Sequence, residues 1–255
     1  MTSADGTELA LRRSGSGPPM VLVHGTLDGM NTFSMVELAL AERYEVTTYD
    51  RRGRGESSDG SDYSLEREVE DLEAVLGTYD RPAHVVAHSF GAVVAMKTAL
   101  KGQKMASLVL YEPPMNGDGI AEDGAAAVDQ AVEDARFDDA IRLLARDLAG
   151  VSDDEIGIAM KVPPVRKMLR DGARQAPREI RALQQTSWDD LPIAGVPTLI
   201  LRGERSDAAA YPRPDQHSSI AADAEVTALA GQTHLAHSMD PNAFLHAVLD
   251  FTGRH

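Results

Sequence analysis

The chain has 255 residues, 43% of them hydrophobic, and a formal net charge of −15 at pH 7. This length is enough for one substantial core with a modest insertion. The acidic charge disfavours nucleic acid or an anionic membrane surface as a partner. The sequence contains no cysteine, which excludes a disulfide framework, a thiol nucleophile and a Cys-ligated metal.

The chain shows no sign of export or membrane insertion. Met1 to Gly6 lack the basic and apolar stretches of a secretory signal, and no apolar run approaches ~18 residues. We therefore expect a cytoplasmic protein with no membrane partner. The expected partners are a small-molecule substrate and, at most, a second copy of the chain in a homodimer.

Strand-like and helix-like patterns alternate along most of the chain. The runs typical of strands are Glu8 to Arg12, Met20 to His24, Glu45 to Asp50, Ala83 to His88, Ala106 to Tyr111, Val196 to Leu201 and Glu225 to Leu229. The runs with helical spacing are Phe33 to Arg43, Leu65 to Thr78, Phe90 to Leu100 and Asn242 to Phe251. This alternation predicts an α/β fold, in which helices cover both faces of a mostly parallel sheet.

The pentapeptide Ala87-His88-Ser89-Phe90-Gly91 lies where the fourth strand run meets a helical run. A sharp strand-to-helix turn needs small residues on both sides of its apex, and Ala87 and Gly91 supply them. Ser89 would then project above the sheet at a helix N-terminus, and the Phe90 N–H would be free to donate to an oxyanion. This context indicates a nucleophilic serine.

Three further motifs follow the same order as in a known family. They are the strand ending in His24-Gly25-Thr26, the turn Asp50-Arg51-Arg52-Gly53-Arg54-Gly55-Glu56-Ser57, and Gly231-Gln232-Thr233-His234 after the last strand. Together with the pentapeptide they resemble the α/β-hydrolase superfamily, whose elbow is G-x-S-x-G; here Ala87 replaces the first glycine. The pair Tyr-Glu-Pro-Pro and Gly-Gln-Thr-His is similar to a subgroup of small bacterial serine hydrolases.

The resemblance implies an α/β-hydrolase fold with Ser89 as the nucleophile. A second oxyanion N–H would come from Thr26 or Leu27, because two converging backbone donors stabilise the developing negative charge. The side chains or backbone expected to line the substrate pocket are those of His24, Gly25, His88 and Tyr111. No cofactor is implied, and no histidine shows a recognisable metal-ligand spacing.

The resemblance also implies a cap. From about Asn116 to Ser187 the sequence shows helical patterns and no convincing strand, and this stretch falls after the sixth strand of the family order. We expect residues 1–115 and 188–255 to form the hydrolase core and residues 116–187 to form a helical cap. Acids dominate up to Gly150 and bases from Lys161 to Arg181, which is typical of helices that face one another and water.

A nucleophilic serine needs a base and an acid that orients the base. His234 follows the last strand by the expected short loop, and His237 is the alternative one turn further on. For the acid, relatives carry Gly-x-x-Asp after the seventh strand of the family order, whereas here Ser206 takes that place and Asp207 comes one residue late. Glu112, at the end of the preceding strand, is the rival. Haloalkane dehalogenases, in the same superfamily, use an acid at that strand end, and both Glu112 and Asp207 remain candidates.

Ser89 restricts the chemistry. Haloalkane dehalogenases and epoxide hydrolases attack with an aspartate, so the serine favours acyl chemistry. The main hypothesis is hydrolysis of a carboxylic ester or lactone of a small to medium, largely apolar metabolite. A C–C bond hydrolase or a perhydrolase would use the same triad, and a non-hydrolytic small-molecule-binding or cyclase member of the fold is the alternative of another class.

Overall fold

A computed structural model describes residues 1–114, 122–188, 191–206 and 217–255. Its seven strands are β1 (Leu11–Ser14), β2 (Pro19–Val23), β3 (Glu45–Tyr49), β4 (Ala83–His88), β5 (Met105–Tyr111), β6 (Thr198–Gly203) and β7 (Glu225–Leu229). They form one sheet in the order β1-β3-β2-β4-β5-β6-β7. Only β1 runs antiparallel to its neighbour. The predicted α/β class and mostly parallel sheet are confirmed.

β4 and β7 have the predicted bounds, β2, β3 and β5 differ from them by one residue at one or both ends, and β1 and β6 differ by more. β1 begins at Leu11 rather than Glu8, because Glu8 pairs with Thr2 in an isolated bridge. β6 runs on to Gly203, two residues beyond the apolar run, because Gly203 pairs with Leu229 of β7. In β6 the hydrophobic pattern marked the buried apolar residues and missed the end that backbone pairing defines, whereas β1 has no buried residue and is defined by its pairing with β3.

Helices cover both faces of the sheet. They are α1 (Ser34–Ala41), α2 (Leu65–Leu76), α3 (Phe90–Leu100), α9 (His217–Ile220), α10 (Ala236–Met239) and α11 (Pro241–Thr252), with a 3₁₀ turn at Met30–Phe33. One apolar cluster packs α2 and α3 against one face of the sheet, and a second packs α1 and α11 against the other. None of the helices in the described part of the chain is long and apolar enough to cross a membrane.

The strand that leads to Ser89 is at the centre of this arrangement. β4 lies between β2 and β5, and every residue of β4 is buried. Because parallel strands place their carboxyl ends at one edge of the sheet, the residues after β2, β4, β5 and β6 meet there. The topology therefore brings the loops around Gly25, Ser89, Glu112 and Gly203 together.

In the described part of the chain between β5 and β6 there are five helices. They are α4 (Glu122–Glu133), α5 (Phe137–Arg142), α6 (Asp153–Met160), α7 (Pro163–Ala173) and α8 (Ala176–Gln184), and a π-helical turn, Leu143–Leu148, continues α5. We call them the inserted helices. Asp138 of α5 accepts hydrogen bonds from Arg166 and Arg170 of α7, so acidic and basic helices do face one another.

The inserted helices have an apolar cluster of their own, and it contains one residue from the sheet side. Val128, Ile141 and Ile180 belong to this cluster, and so does Leu27 from the loop after β2. A Cβ on Gly172 of α7 would lie 2.4 Å from Leu27 Cα, so this helix approaches the loop as closely as glycine allows. The loop after β2 is therefore packed from above by the inserted helices.

Candidate active site

Ser89 occupies a sharp turn between β4, which ends at His88, and α3, which begins at Phe90. Its φ is 53° and its ψ is −125°, a combination that residues with a side chain rarely adopt. A Cβ on Gly91 would lie 2.5 Å from the His24 carbonyl oxygen. Glycine at this position therefore lets α3 start directly above β2, which places Ser89 at the carboxyl edge of the sheet.

The loop after β2 lies against this turn. A Cβ on Gly25 would be 2.9 Å from Ser89 Cβ, so the backbone of the loop touches the serine. Leu27 has a φ of 67°, which turns the loop at that residue. Phe90 is the first residue of α3, and its N–H therefore has no acceptor within the helix. The residues expected to donate to an oxyanion, Phe90 with Thr26 or Leu27, are thus neighbours.

Glu112 and His234 form a buried, directly bonded pair. Glu112 Oε2 lies 2.6 Å from His234 Nδ1, and Glu112 Oε1 accepts a 2.6 Å hydrogen bond from the Gly203 N–H. Burial alone raises the pKa of Glu112, but hydrogen bonds from His234, Ser206 and Gly203 outweigh it and lower the pKa. The ionised carboxylate holds the proton of His234 on Nδ1, which leaves Nε2 with a lone pair.

Two further buried side chains support the loop that carries His234. The Tyr111 hydroxyl donates to the Thr233 carbonyl and accepts from the Ala236 N–H at 3.0 Å. His88 Nε2 donates to the His234 carbonyl at 3.0 Å. Tyr111 and His88 were expected to line the substrate pocket; the structure shows both buried and bonded to the backbone around His234. These contacts fix the height of the imidazole above the sheet.

His237 and Asp207 were the alternatives to His234 as the base and to Glu112 as the acid. Of the two candidate acids, Glu112 contacts His234, and Asp207 lies outside the described residues. His237 has a fully buried ring, and its Nε2 lies 3.2 Å from Thr32 Oγ1. Because the carboxylate of Glu112 bonds to His234, the geometry gives His234 the arrangement of an oriented base.

Comparison with known proteins identifies the family. The sequence profile of the alpha/beta hydrolase family matches residues 20–247. The chain belongs to this family. It is 33% identical over 113 residues to N-formylmaleamate deformylase from Pseudomonas putida, an alignment that covers 43% of this chain and 42% of that protein. It is 39% identical over 98 residues to the protein named probable oxidoreductase EphD of Mycobacterium tuberculosis, over 36% of this chain and 17% of that one.

The chain thus aligns with well under half the length of these curated relatives. A solved structure, an alpha/beta hydrolase from Sphaerobacter thermophilus, superimposes over 98% of each chain with a TM-score of 0.84 and 28% identity. Proteins with the same fold at lower identity include esterases and lactonases. The protein is an α/β hydrolase.

In this α/β hydrolase the residues after β3 support the loop that contacts Ser89. The Arg51 N–H donates to His24 Nε2 at 3.1 Å, and Arg51 Nη2 donates to the Gly25 carbonyl at 3.0 Å. Burial and the charge of Arg51 lower the pKa of His24 well below its ordinary value, so this imidazole is neutral. His24 was expected at the pocket; its ring has no exposed surface and bonds to backbone on both sides.

Arg51 also belongs to a buried cluster of charges that the sequence did not reveal. Its guanidinium donates to Glu68 at 2.8 Å and to Glu179 at 2.6 Å, and Arg54 donates to the same oxygen of Glu179 at 2.6 Å. Burial alone raises the pKa of Glu179, but Arg51 and Arg54 outweigh it and lower the pKa. Glu179 belongs to α8, so this cluster ties the inserted helices to the core.

A third group of buried polar residues lies next to His234. Asp28 Oδ2 is 3.4 Å from His88 Nδ1, and Asp28 Oδ1 accepts from the Thr32 hydroxyl at 3.2 Å. One oxygen of Asp28, one nitrogen of His88 and one nitrogen of His237 lie within 4.8 Å of one another. Burial lowers the pKa of His88 and that of His237, so both rings are neutral near pH 7. This grouping was not predictable from the sequence, because its members lie far apart in the chain, in the loop after β2, at the end of β4 and in α10.

Proposed function

We propose that the protein is a serine hydrolase that cleaves a carboxylic ester or lactone of a small to medium, largely apolar metabolite. The observation that carries the proposal is the 2.6 Å contact between Glu112 Oε2 and His234 Nδ1, at the sheet edge where Ser89 sits in its strained turn. A buried carboxylate bonded to an imidazole is the arrangement that orients a general base. We assign Ser89, His234 and Glu112 the roles of nucleophile, base and orienting acid.

In the first half-reaction, Ser89 Oγ attacks the carbonyl carbon while His234 Nε2 takes the hydroxyl proton. The carbonyl oxygen becomes an oxyanion, which the N–H of Phe90 and that of Thr26 or Leu27 stabilise. Glu112 stabilises the imidazolium that forms and keeps the proton on Nδ1. His234 then gives the proton from Nε2 to the leaving alkoxide, and the acyl group stays on Ser89.

In the second half-reaction, a water molecule gives a proton to His234 Nε2 and attacks the acyl carbon. The same donors hold the oxyanion, and the bond to Ser89 Oγ breaks as His234 returns the proton to the serine. The products are the carboxylic acid and free enzyme. No step needs a metal or cofactor.

The inserted helices support the preference for an apolar substrate. They contact the loop after β2 through Leu27 and Gly172, and Met168 of α7 lies near Gly29. The side chain of Met168 and the apolar cluster around Leu27 thus lie against the loop that is expected to hold one oxyanion donor. We propose that these helices act as the cap over the site, and that the chain belongs to the subgroup defined by Tyr-Glu-Pro-Pro and Gly-Gln-Thr-His.

A fluorophosphonate probe tests the nucleophile, and a panel of p-nitrophenyl esters and lactones tests the substrate class. We expect stoichiometric labelling of Ser89, and turnover of at least one class in the panel. Ser89→Ala should abolish labelling and lower turnover on the order of 10⁶-fold, because loss of the nucleophile disables the whole triad. Circular dichroism checks that this variant is folded.

The other outcomes separate the alternatives. Labelling of Ser89 without turnover of any ester or lactone would point to C–C hydrolysis or perhydrolysis with the same residues. The absence of labelling in folded protein would favour a binding or cyclase role. A loss of less than about tenfold in Ser89→Ala would rule out the serine mechanism.

A further inference from the structure

The group formed by Asp28, His88 and His237 holds a buried carboxylate without a matching cation. Asp28 is 8% exposed, His88 is 2% exposed and His237 has no exposed surface. Among the described residues, no lysine or arginine pairs with Asp28; its one ionic contact is the 3.4 Å approach to His88 Nδ1. A buried carboxylate with no cation costs several kcal/mol, so this charge needs compensation.

The hydrogen bonds of His88 fix its tautomer. His88 Nε2 faces the His234 carbonyl at 3.0 Å, and a carbonyl only accepts, so the ring proton is on Nε2. In the neutral ring, Nδ1 then carries a lone pair. This atom is buried, has no hydrogen-bond partner among the described residues, and faces the carboxylate of Asp28. Two electron-rich atoms thus face each other at 3.4 Å.

The same reasoning applies to His237. The Thr32 hydroxyl gives its proton to Asp28 Oδ1, so it accepts from His237 Nε2 at 3.2 Å. The proton of His237 is therefore on Nε2, and Nδ1 carries a lone pair that is buried and has no partner within the described part of the chain. Both imidazoles are held by their Nε2 protons, as metal-ligating histidines are by their outer hydrogen bonds.

We infer that Asp28, His88 and His237 form a binding site for a divalent transition-metal ion such as Zn²⁺. One carboxylate and two neutral imidazoles are a donor set that zinc accepts, with an open fourth position for water. Asp28 would bind through Oδ2, and each histidine through Nδ1. The His234 carbonyl and the Thr32 hydroxyl would act as the outer hydrogen-bond partners.

The distances are compatible with this ion after a small adjustment. Tetrahedral zinc sets its ligand atoms about 3.3 Å apart, which follows from bonds of about 2.0 to 2.1 Å. The Asp28–His88 pair already has a separation of 3.4 Å. One donor atom from each of the three residues lies within 4.8 Å of the other two, so the widest pair of such a set closes by at most about 1.5 Å. Gly25 leaves room for an ion beside His88 Nδ1. Any other residue at position 25 would place its Cβ 3.2 Å from this nitrogen.

Metal titration of the purified, untagged protein tests the site. We expect one equivalent of Zn²⁺ by a competing chromophoric chelator and by elemental analysis, with a rise in the thermal midpoint as zinc saturates the site. Asp28→Asn and His237→Gln should each weaken zinc binding at least tenfold. His246→Gln, at an exposed position, is the matched control and should bind zinc like the unmodified protein.

Thr32→Val provides an independent test that keeps all three ligands. It removes the hydroxyl that bonds both Asp28 and His237, so we expect a 10- to 100-fold weaker affinity, as is typical when an outer partner is lost. This variant covers the case in which a ligand variant fails to fold. Absence of stoichiometric binding, or equal binding by the unmodified protein and its Thr32, Asp28 and His237 variants, would overturn the site. Serine hydrolase activity is measured separately and does not decide the outcome.

Discussion

Glu112 and Glu179 are almost equally buried, at 1% and 2% exposure, yet they have opposite kinds of partner. Glu112 bonds to an imidazole and to a backbone N–H. Glu179 bonds to two arginines, each at 2.6 Å. An arginine keeps its charge at any ordinary pH and has no lone pair that accepts a proton, whereas a neutral imidazole has one nitrogen that does. Only the first glutamate has a partner that can take part in proton transfer.

The two glutamates also differ in what they connect. Glu112 follows β5 directly and contacts the loop after β7, so it links the ends of the two strands that lie on either side of β6. Glu179 comes from α8 and reaches the residues after β3. Glu179 thus connects the inserted helices to the core, and Glu112 has the contacts expected of the orienting acid that we propose.

Replacement of Glu112 should have the largest effect on the reaction rate. Glu112→Gln should lower kcat by about 10² or more, because the amide allows the wrong tautomer of His234. Steady-state kinetics on the best ester measure this effect, and the fluorophosphonate labelling rate should fall in parallel. A fully active Glu112→Gln protein, with activity lost instead in Asp207→Asn, would transfer the role of the acid to Asp207.

Replacement of Glu179 should mainly lower the stability of the fold. Glu179→Gln leaves Arg51 and Arg54 buried without their shared carboxylate, which should cost about 3 to 5 kcal/mol of unfolding free energy. For a chain of this size the thermal midpoint should fall by about 10 °C. Below that temperature kcat should change far less than in Glu112→Gln. An equal loss of kcat in the two variants would contradict the division of roles.

Removal of the Tyr111 hydroxyl tests the support of the loop that carries His234. Tyr111→Phe leaves the Ala236 N–H and the Thr233 carbonyl buried without their partner, so we expect a loss of about 1 to 3 kcal/mol and a lower kcat. Tyr44→Phe is the matched control. The Tyr44 hydroxyl bonds to Thr252 Oγ1 at 2.9 Å in the buried core, so this variant should lose stability without losing activity per folded molecule.

Asp138, a half-buried counterpart of Glu179, should have the smallest effect when replaced. Asp138 pairs with Arg166 and Arg170 at the surface, and hydrogen bonds from Arg170 lower its pKa to about 2. Solvent screens this cluster, so Asp138→Asn should cost less than about 1 kcal/mol at pH 7. Because the folded pKa is lowered, this stabilisation is present above about pH 3.9 and is lost as the pH falls towards 2. Urea unfolding at several pH values should show the two proteins converging in acid.

The sheet and the strand-to-helix turn at Ser89 were predictable because their signals are local. β4 and β7 have the predicted bounds, and Ser89 lies where a strand run and a helical run meet. Glu112 was singled out because it follows an apolar strand in a recognisable motif. The sequence could not choose between Glu112 and Asp207, because the choice depends on how strand ends meet.

The buried charge clusters could not be predicted from the sequence either, because they too depend on contacts between distant parts of the chain. Glu179 and Arg51 are 128 positions apart, and each alone is typical of an exposed helix or loop. Asp28 and His237 are brought together through Thr32, which bonds to both. Such pairs have no periodicity and no short motif. Their burial follows only once the inserted helices have packed on the loop after β2.

The position of Leu27 makes the inserted helices hard to exchange for those of another hydrolase. Its side chain completes their apolar cluster, and its backbone fills the space beside Gly172. A chimaera that takes these helices from a relative must also take a compatible residue at position 27 and a glycine at the facing position. For protein engineering, the smallest transferable unit is therefore the helical segment together with the loop that follows β2.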